Sequence, residues 1–366
     1  MALKKLASRL REIWYAETAA SNLDPLILIL SLLSLLYRPV VNLRNKMYDY
    51  GILKQNRLPC KVISIGNITV GGTGKTPAVI MLAKLLKEKG YRPAVLSRGY
   101  GGKKKSAVNV VSDGSKIMMG HMEAGDEPIL IAKVAEGIPV LTGPKRILTG
   151  RFAIDNLNAD ILILDDAFQH RDIFRDIDIV ILNREQPFGN GFLLPRGPLR
   201  ESLKSMKRAH FLIWKDNTDE GRYPKYKEHG IGLYLPVLSV YLKPKDIIQG
   251  KTGEVYSLDF IQRKKVCAFA GIASPAAFSR TLESLGGVVT SFIEFPDHYR
   301  FIEADISDIR KRYIDSSSEI IMTTEKDGVR LADFPHFLKD IFLLRMEMVM
   351  LPSQEEFEAP ILEKIK

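Results

Sequence analysis

Cysteine is scarce in this chain: two residues in 366, Cys60 and Cys267, each beside an apolar strand-like run. A disulfide framework is excluded as the source of stability. Two reduced, buried thiols in a cytosolic protein are expected instead. No Cys/His spacing suits a zinc site. Internal repeats and low-complexity tracts are missing too. Long apolar runs are also lacking. Leu26–Tyr37, opened by Pro25 and closed by Arg38 and Pro39, has only 12 residues. A bilayer span needs about 20. The run is not a signal peptide either, because the helix before it is too long and no small-residue cleavage site follows.

What is present points to a folded protein with an anionic partner. An apolar content of 46% in 366 residues is enough for two domains, each with its own core. A net charge of +10 suits nucleic acid, an anionic membrane surface or a phosphorylated substrate. Residues 3–18 form a basic amphipathic pattern. Leu3, Leu6, Leu10, Ile13 and Trp14 fall at helical spacing, with Lys4, Lys5, Arg9 and Arg11 between them. Arg9, Arg11, Arg38, Arg44 and Lys46 flank the apolar run, and Trp14, Tyr15 and Tyr37 could sit at headgroup depth. The N-terminus therefore reads as a monotopic membrane contact, against the alternative of an internal helix.

The chain is organised around Thr69-Val70-Gly71-Gly72-Thr73-Gly74-Lys75-Thr76. A short β-type run, Lys61–Ile65, precedes it, and a helical pattern follows from Pro77 to about residue 89. Strand, glycine-rich loop, Lys-Thr and helix is the context of a phosphate-binding P-loop. The glycines let backbone N–H groups curl round phosphate oxygens, and the helix N-terminus adds partial positive charge. Lys75 would reach the β- and γ-phosphates of ATP, and the Thr76 hydroxyl would bind Mg²⁺. The usual pattern has glycine where this chain has Thr69, so the loop is a variant.

Further motifs follow in an α/β alternation. Arg92–Ser97 reads as a strand running into the basic loop Arg98–Gly102, extended by Lys103, Lys104 and Lys105. Arg98, at the strand end, is a candidate for touching substrate or phosphate. Gly125-Asp126-Glu127-Pro128 opens a helix, and Asp126 falls where an N-cap would. Asp160–Asp166 is an apolar strand ending in two carboxylates, the Walker B arrangement, in which Asp165 would hold Mg²⁺ directly or through water. His170 follows in a polar loop, as a site residue or a plain loop residue. Residues 187–201 are long, Gly/Pro-rich and apolar, which suits a functional loop more than disorder.

The fold expected is α/β: a P-loop NTPase-like, mostly parallel sheet with helices on both faces, a smaller C-terminal α/β lobe and an N-terminal membrane-interface helix. Its divisions are 1–40 for the N-terminal helices, 41–230 for the P-loop kinase domain, 231–262 for an extended linker or β-ribbon, and 263–366 for the C-terminal lobe. The boundary falls in the charged, weakly patterned stretch 216–230.

Taken together, these motifs resemble the tetraacyldisaccharide 4'-kinase family, the lipid A 4'-kinases of Gram-negative bacteria. The resemblance rests on Gly66-Asn67 with the variant P-loop through Pro77, Ser97-Arg98-Gly99-Tyr100-Gly101, Gly125-Asp126-Glu127-Pro128 and Asp165–His170. It continues with Gly191–Pro195, Gly197, Leu199-Arg200-Glu201, Asp297-His298-Tyr299 and Thr324-Glu325-Lys326-Asp327. The motifs run in family order from about residue 12 to 331, and Thr69 belongs to the pattern.

The resemblance implies transfer of the ATP γ-phosphate to the 4'-hydroxyl of tetraacyldisaccharide 1-phosphate, giving lipid IVA, a lipid A precursor. It implies a monomer, peripheral on the cytoplasmic face of the bacterial inner membrane, with an anionic membrane surface and a lipid A disaccharide precursor as partners and no nucleic acid. It makes Asp126 the base for the 4'-hydroxyl proton, with His298 orienting it as a dyad. Thr76, Asp165, Asp166, Glu127 and Glu201 become the candidate Mg²⁺ shell. Arg200 and His170 would assist at the phosphates or the acceptor.

Two other readings compete. A P-loop GTPase or metallochaperone-like switch would need an N/T-K-x-D loop, and Thr324-Glu325-Lys326-Asp327 carries its lysine one place late. A non-enzymatic basic binding protein leaves Asp126, Glu127, Asp165 and Asp166 unexplained, because carboxylates repel phosphate unless a metal intervenes.

Overall fold

The computed structural model describes residues 2–15, 24–103, 106–216, 235–351 and 353–365. The expected domain boundary at 216–230 lies, beyond Asp216, outside the described residues, as do Lys104 and Lys105. In chain order the first half holds α1 (Ala2–Tyr15), α2 (Pro25–Asp49), β1 (Lys61–Gly66), α3 (Lys75–Glu88), β2 (Pro93–Ser97), β3 (Asn109–Ser112), α4 (His121–Ala124), α5 (Asp126–Val134), β4 (Val140–Thr142), α6 (Arg146–Leu157), β5 (Ile161–Asp165), β6 (Ile177–Asn183) and β7 (Phe211–Asp216). The second half holds β8 (Val237–Gln249), β9 (Val255–Tyr256), β10 (Lys265–Ala270), α7 (Pro275–Ser284), β11 (Val288–Glu294), α8 (Glu303–Asp315), β12 (Ile320–Thr324), α9 (Glu325–Arg330), β13 (Ile341–Leu351) and α10 (Gln354–Ile365).

The strands form one continuous mixed sheet in the order β11-β10-β12-β13-β8-β7-β6-β1-β5-β2-β4-β3, with β9 on β8. Most neighbours are parallel. The β13–β8, β8–β9 and β3–β4 pairs are antiparallel. Successive residues of a strand face opposite sides, so each strand feeds two cores. Ile63, Ile65, Ile161 and Ile163 pack with α3 and α5 on one face. Val62, Leu162 and Leu164 pack on the other with Ala153 of α6. The same alternation splits β10, with Cys267 and Phe269 on one side and Val266, Ala268 and Ala270 on the other. Buried on both faces, these strands read as near-continuous apolar runs, as parallel strands do.

The long β8 and β13 ladder, from Gln249–Phe342 to Ser239–Leu351, joins the two halves of the sheet. The chain then returns to the P-loop half. In α10, Phe357, Ile361 and Ile365 enter the core beside Leu82, Leu85 and Leu86 of α3. Lys89 pairs with Glu358 at 2.6 Å.

The apolar run near the N-terminus does not stop at Arg38 and Pro39. It continues through Pro39 as one 25-residue helix, α2, which is long and apolar enough to cross a membrane by length and composition. Proline removes one intrahelical donor, yet tertiary contacts along α2 hold the helix past it. Ile27, Leu30, Ser34 and Val41 are buried and recur at intervals of three, four and seven. Ser34 Oγ donates to Leu193 O at 3.0 Å, Tyr37 Oη to Arg200 O at 3.0 Å, and Arg44 pairs with Glu201 at 2.9 Å. This stripe lays α2 along the body of the protein. Leu28, Leu32, Leu35, Leu36, Val40 and Leu43 remain exposed on the other side.

Candidate active site

The P-loop leaves β1 and enters α3 through Gly74, which sits at φ +87°. Gly71 is also left-handed, at φ +126°. A Cβ on Gly72 would stand 3.1 Å from Ala273 Cβ, so the loop after β10 roofs the P-loop closely. Thr69 is explained by pairing. It bridges Leu199 antiparallel, Val70 N donates to Pro198 O at 2.8 Å, and Arg200 N donates to Ile68 O at 2.7 Å. A β-branched residue suits this extended conformation better than glycine does. Asn67 Nδ2 donates to Thr73 Oγ1 at 3.1 Å and steadies the loop. From the N-terminal helix, Tyr15 Oη donates to Val70 O at 3.0 Å.

Lys75 and Thr76 of the P-loop, Glu127 of α5, and Asp165 and Asp166 after β5 line one cleft of about 2190 Å³ with Arg98, His170, Arg200 and His298. Lys75 Nζ lies 3.7 Å from Asp166 Oδ1, and Arg200 Nη1 donates to the same oxygen at 2.8 Å. Burial pulls the Asp166 carboxyl upward, but Lys75 and Arg200 outweigh it and hold it below its ordinary value. Asp165 is the opposite case. It is 2% exposed, Ser97 Oγ donates to its Oδ2 at 3.0 Å, and its Oδ1 is buried with no partner. Burial, then Glu127 and Asp166, push it up to about 7. A buried carboxylate with an orphan oxygen lacks positive charge. Mg²⁺ typically takes one or two protein carboxylates and completes its shell with water and substrate phosphate. The donors here fit that pattern, although no cage of three or more His, Cys, Asp or Glu converges among the described residues. His170 is pushed down to about 4 by burial and by Arg146, so it is neutral at neutral pH.

Glu201 is not brought to this group. It is fully buried elsewhere, with Oε1 accepting from Arg44 at 2.9 Å and Oε2 from Arg208 at 2.6 Å. The motif's acidic residue therefore anchors α2 to the 187–208 segment, and both its oxygens are engaged.

Asp126 does not cap its helix, contrary to its position in the sequence. Gly125 is the N-cap, at φ +91°, and Asp126 is the first helical residue. A Cβ on Gly125 would meet Tyr100 O at 2.4 Å, which requires glycine there. The Asp126 side chain points to the C-terminal half of the chain. His298 Nδ1 lies 3.3 Å from its Oδ2, and Arg330 Nε donates to that oxygen at 2.6 Å. Burial pulls Asp126 upward, but the His298 hydrogen bond and the Arg330 charge hold it down at about 2. His298 itself sits at φ +58°, a strained position for a side-chain-bearing residue.

The chain as a whole matches a known family. Residues 26–366 match the family described as Tetraacyldisaccharide-1-P 4'-kinase. The chain belongs to that family. A tetraacyldisaccharide 4'-kinase of Syntrophus aciditrophicus is 46% identical over 368 residues, 98% of each chain. Another, from Anaeromyxobacter sp. strain Fw109-5, is 40% identical over 342 residues, covering 89% of this chain and 88% of its own. The solved "apo" form LpxK from Aquifex aeolicus, in complex with ATP, is 33% identical and superposes with a TM-score of 0.74 over 93% of this chain and 99% of its own. The mixed α/β fold of this chain is the fold of that kinase.

Two charged residues beside Asp126 and His298 escaped the sequence reading. Arg330 was not singled out, and Lys326 belonged to a motif with no assigned role. Lys326 Nζ lies 3.4 Å from both Asp297 Oδ1 and His298 Nε2, and 4.0 Å from Glu127 Oε1. The spacing of the Thr324–Asp327 family motif gave no hint of direction, because α9 had to be placed against α5 first.

Proposed function

We propose that this chain transfers the γ-phosphate of ATP to the 4'-hydroxyl of tetraacyldisaccharide 1-phosphate, with Asp126 and His298 as the acceptor dyad. Membership of the tetraacyldisaccharide 4'-kinase family makes it an ATP-dependent kinase. The observation that carries the residue roles is the meeting of Asp126 and His298, 172 positions apart, with His298 lining the same cleft as Lys75, Asp165 and Asp166.

Phosphoryl transfer demands positioning and charge neutralisation more than covalent help. Lys75 and the amides of residues 69–76 hold the donor phosphates. Thr76 and Asp165, with Asp166 and Glu127 nearby, would hold Mg²⁺, which would supply positive charge to offset that developing on the phosphates. The bond from the γ-phosphorus to the β–γ bridging oxygen breaks, a bond to the 4'-oxygen forms, and the hydroxyl proton passes to Asp126. A carboxylate at about 2 is too weak a base to take that proton early. In a loose transition state the proton leaves late, so Asp126 first serves to orient the hydroxyl. Arg200, Arg98 and neutral His170 line the same cleft as the P-loop, and in this reading they support the donor or the acceptor.

The exposed apolar side of α2 fits a peripheral seat on the cytoplasmic face of the inner membrane, where the lipid acceptor resides, with the chain acting as a monomer and without nucleic acid. We assign donor chemistry to the P-loop half, the dyad histidine to the 263–366 half, and a connecting role to the β8–β13 ladder. The test is incubation with Mg²⁺, labelled ATP and a lipid A disaccharide precursor, followed by locating the transferred phosphate. Asp126→Ala and His298→Ala should each lower turnover by about 10²-fold, with ATP affinity little changed. Near-normal turnover in Asp126→Ala would overturn the dyad.

A further inference from the structure

Arg330 is 2% exposed, and its place is set by its own half of the chain. Its Nη1 donates to Gly271 O at 2.6 Å and to Asp327 Oδ1 at 2.8 Å. Asp327, wholly buried, also accepts from Gly271 N at 3.1 Å and from Thr324 Oγ1 at 2.7 Å. The guanidinium is therefore fixed before it reaches α5. Its Nε then crosses to Asp126 Oδ2, the oxygen that also faces His298 Nδ1.

Lys326, one helical turn earlier, reaches the other end of the histidine. Its Nζ lies 3.4 Å from Nε2, while Nδ1 faces both Asp126 Oδ2 at 3.3 Å and Arg330 Nη2 at 3.5 Å. With Oδ2 taken twice, Oδ1 is the oxygen left to face an incoming hydroxyl.

We infer that Arg330 is a positioning residue for the transfer step: it pins Oδ2 of Asp126 beside His298 so that Oδ1 meets the acceptor hydroxyl. A purely structural role would need only the contacts to Asp327 and Gly271. The bond across to Asp126, at 2.6 Å, is extra to that role. The inference rests on the dyad reading above.

The test uses full-length Arg330→Met, Asp126→Ala and the double variant, assayed with Mg²⁺-ATP and the lipid disaccharide. Arg330→Met should lower kcat by about 10²-fold, the scale of a misplaced reacting group, with the KM for ATP little changed. The double variant should be no slower than Asp126→Ala within about threefold, since residues acting as one unit are not additive. An unchanged kcat, a loss that falls on the KM for ATP instead, or multiplied losses in the double variant would overturn the inference. Should Arg330→Met fail to fold, Arg330→Lys keeps a charge beside Asp327 but lacks the fork, and carries the same two readouts. Full activity of Asp126→Ala would instead sink the dyad reading, which separates the two failures.

Discussion

Asp165→Asn should make the metal-free protein more stable while abolishing turnover. Asp165 is buried, keeps an orphan oxygen, and titrates at about 7 in place of 3.8. That is a rise of about three units, and at about 1.4 kcal/mol per unit the ionised form costs about 4 kcal/mol above pH 7. Asparagine removes this cost but must place an amide where a carboxylate accepted from Ser97, which returns about 1–2 kcal/mol. A net gain of about 2 kcal/mol remains. With 366 residues and about 2 cal/mol/K per residue of unfolding entropy, the melting temperature should rise by about 3 °C. The sign follows from the direction of the shift. A carboxyl raised in the folded state binds more protons there, so wild-type stability falls as pH climbs from 3.8 towards 7. The variant's advantage should be absent near pH 4, grow through that window and plateau by pH 8. Thermal melts in chelator across pH read this directly. Mg²⁺ should then raise the wild-type melting temperature and leave the variant unmoved. An advantage that is flat with pH, or a variant less stable than wild type at pH 8 without metal, would refute the reasoning.

Other substitutions probe the remaining links. Lys75→Ala should lose both ATP affinity and rate in a nucleotide-binding assay and a turnover assay, and normal binding would remove the P-loop argument. Glu201→Gln should lower the melting temperature of the metal-free protein, because it weakens the hold on Arg44 and Arg208. A normal melt with lost turnover would instead return Glu201 to the metal shell. Phe357→Ala should cost about 3–5 kcal/mol in denaturant unfolding, since α10 seats this side chain in the core beside α3. The paired change Leu32→Asp and Leu36→Asp, on the exposed side of α2, should release the protein from anionic vesicles in a flotation assay with its melt unchanged. Deleting residues 1–37 is a blunter test, because Trp14 Nε1 donates to Pro195 O at 2.9 Å and Tyr37 to Arg200 O, so the body loses contacts as well.

By itself the sequence determined the local motifs. The P-loop at 69–76 with its flanking strand and helix, and the carboxylates closing β5, were legible because each depends on residues a few positions apart. An apolar run of five or six residues before a glycine loop has few other ways to fold. Tertiary structure decided the rest, because it depends on partners far along the chain. Thr69 departs from the usual P-loop pattern, and its pairing with Leu199 gives the physical reason. Pro39 looked like a stop until the body was found holding α2 beyond it. Asp126 looked like a helix cap by position and a base paired with His298 by family resemblance, and the fold set its side chain against His298 and added Arg330. Glu201 looked like a metal ligand, and only the fold surrounded it with two guanidiniums. A carboxylate's role depends on which charges reach it, and sequence separation carries no information about that distance.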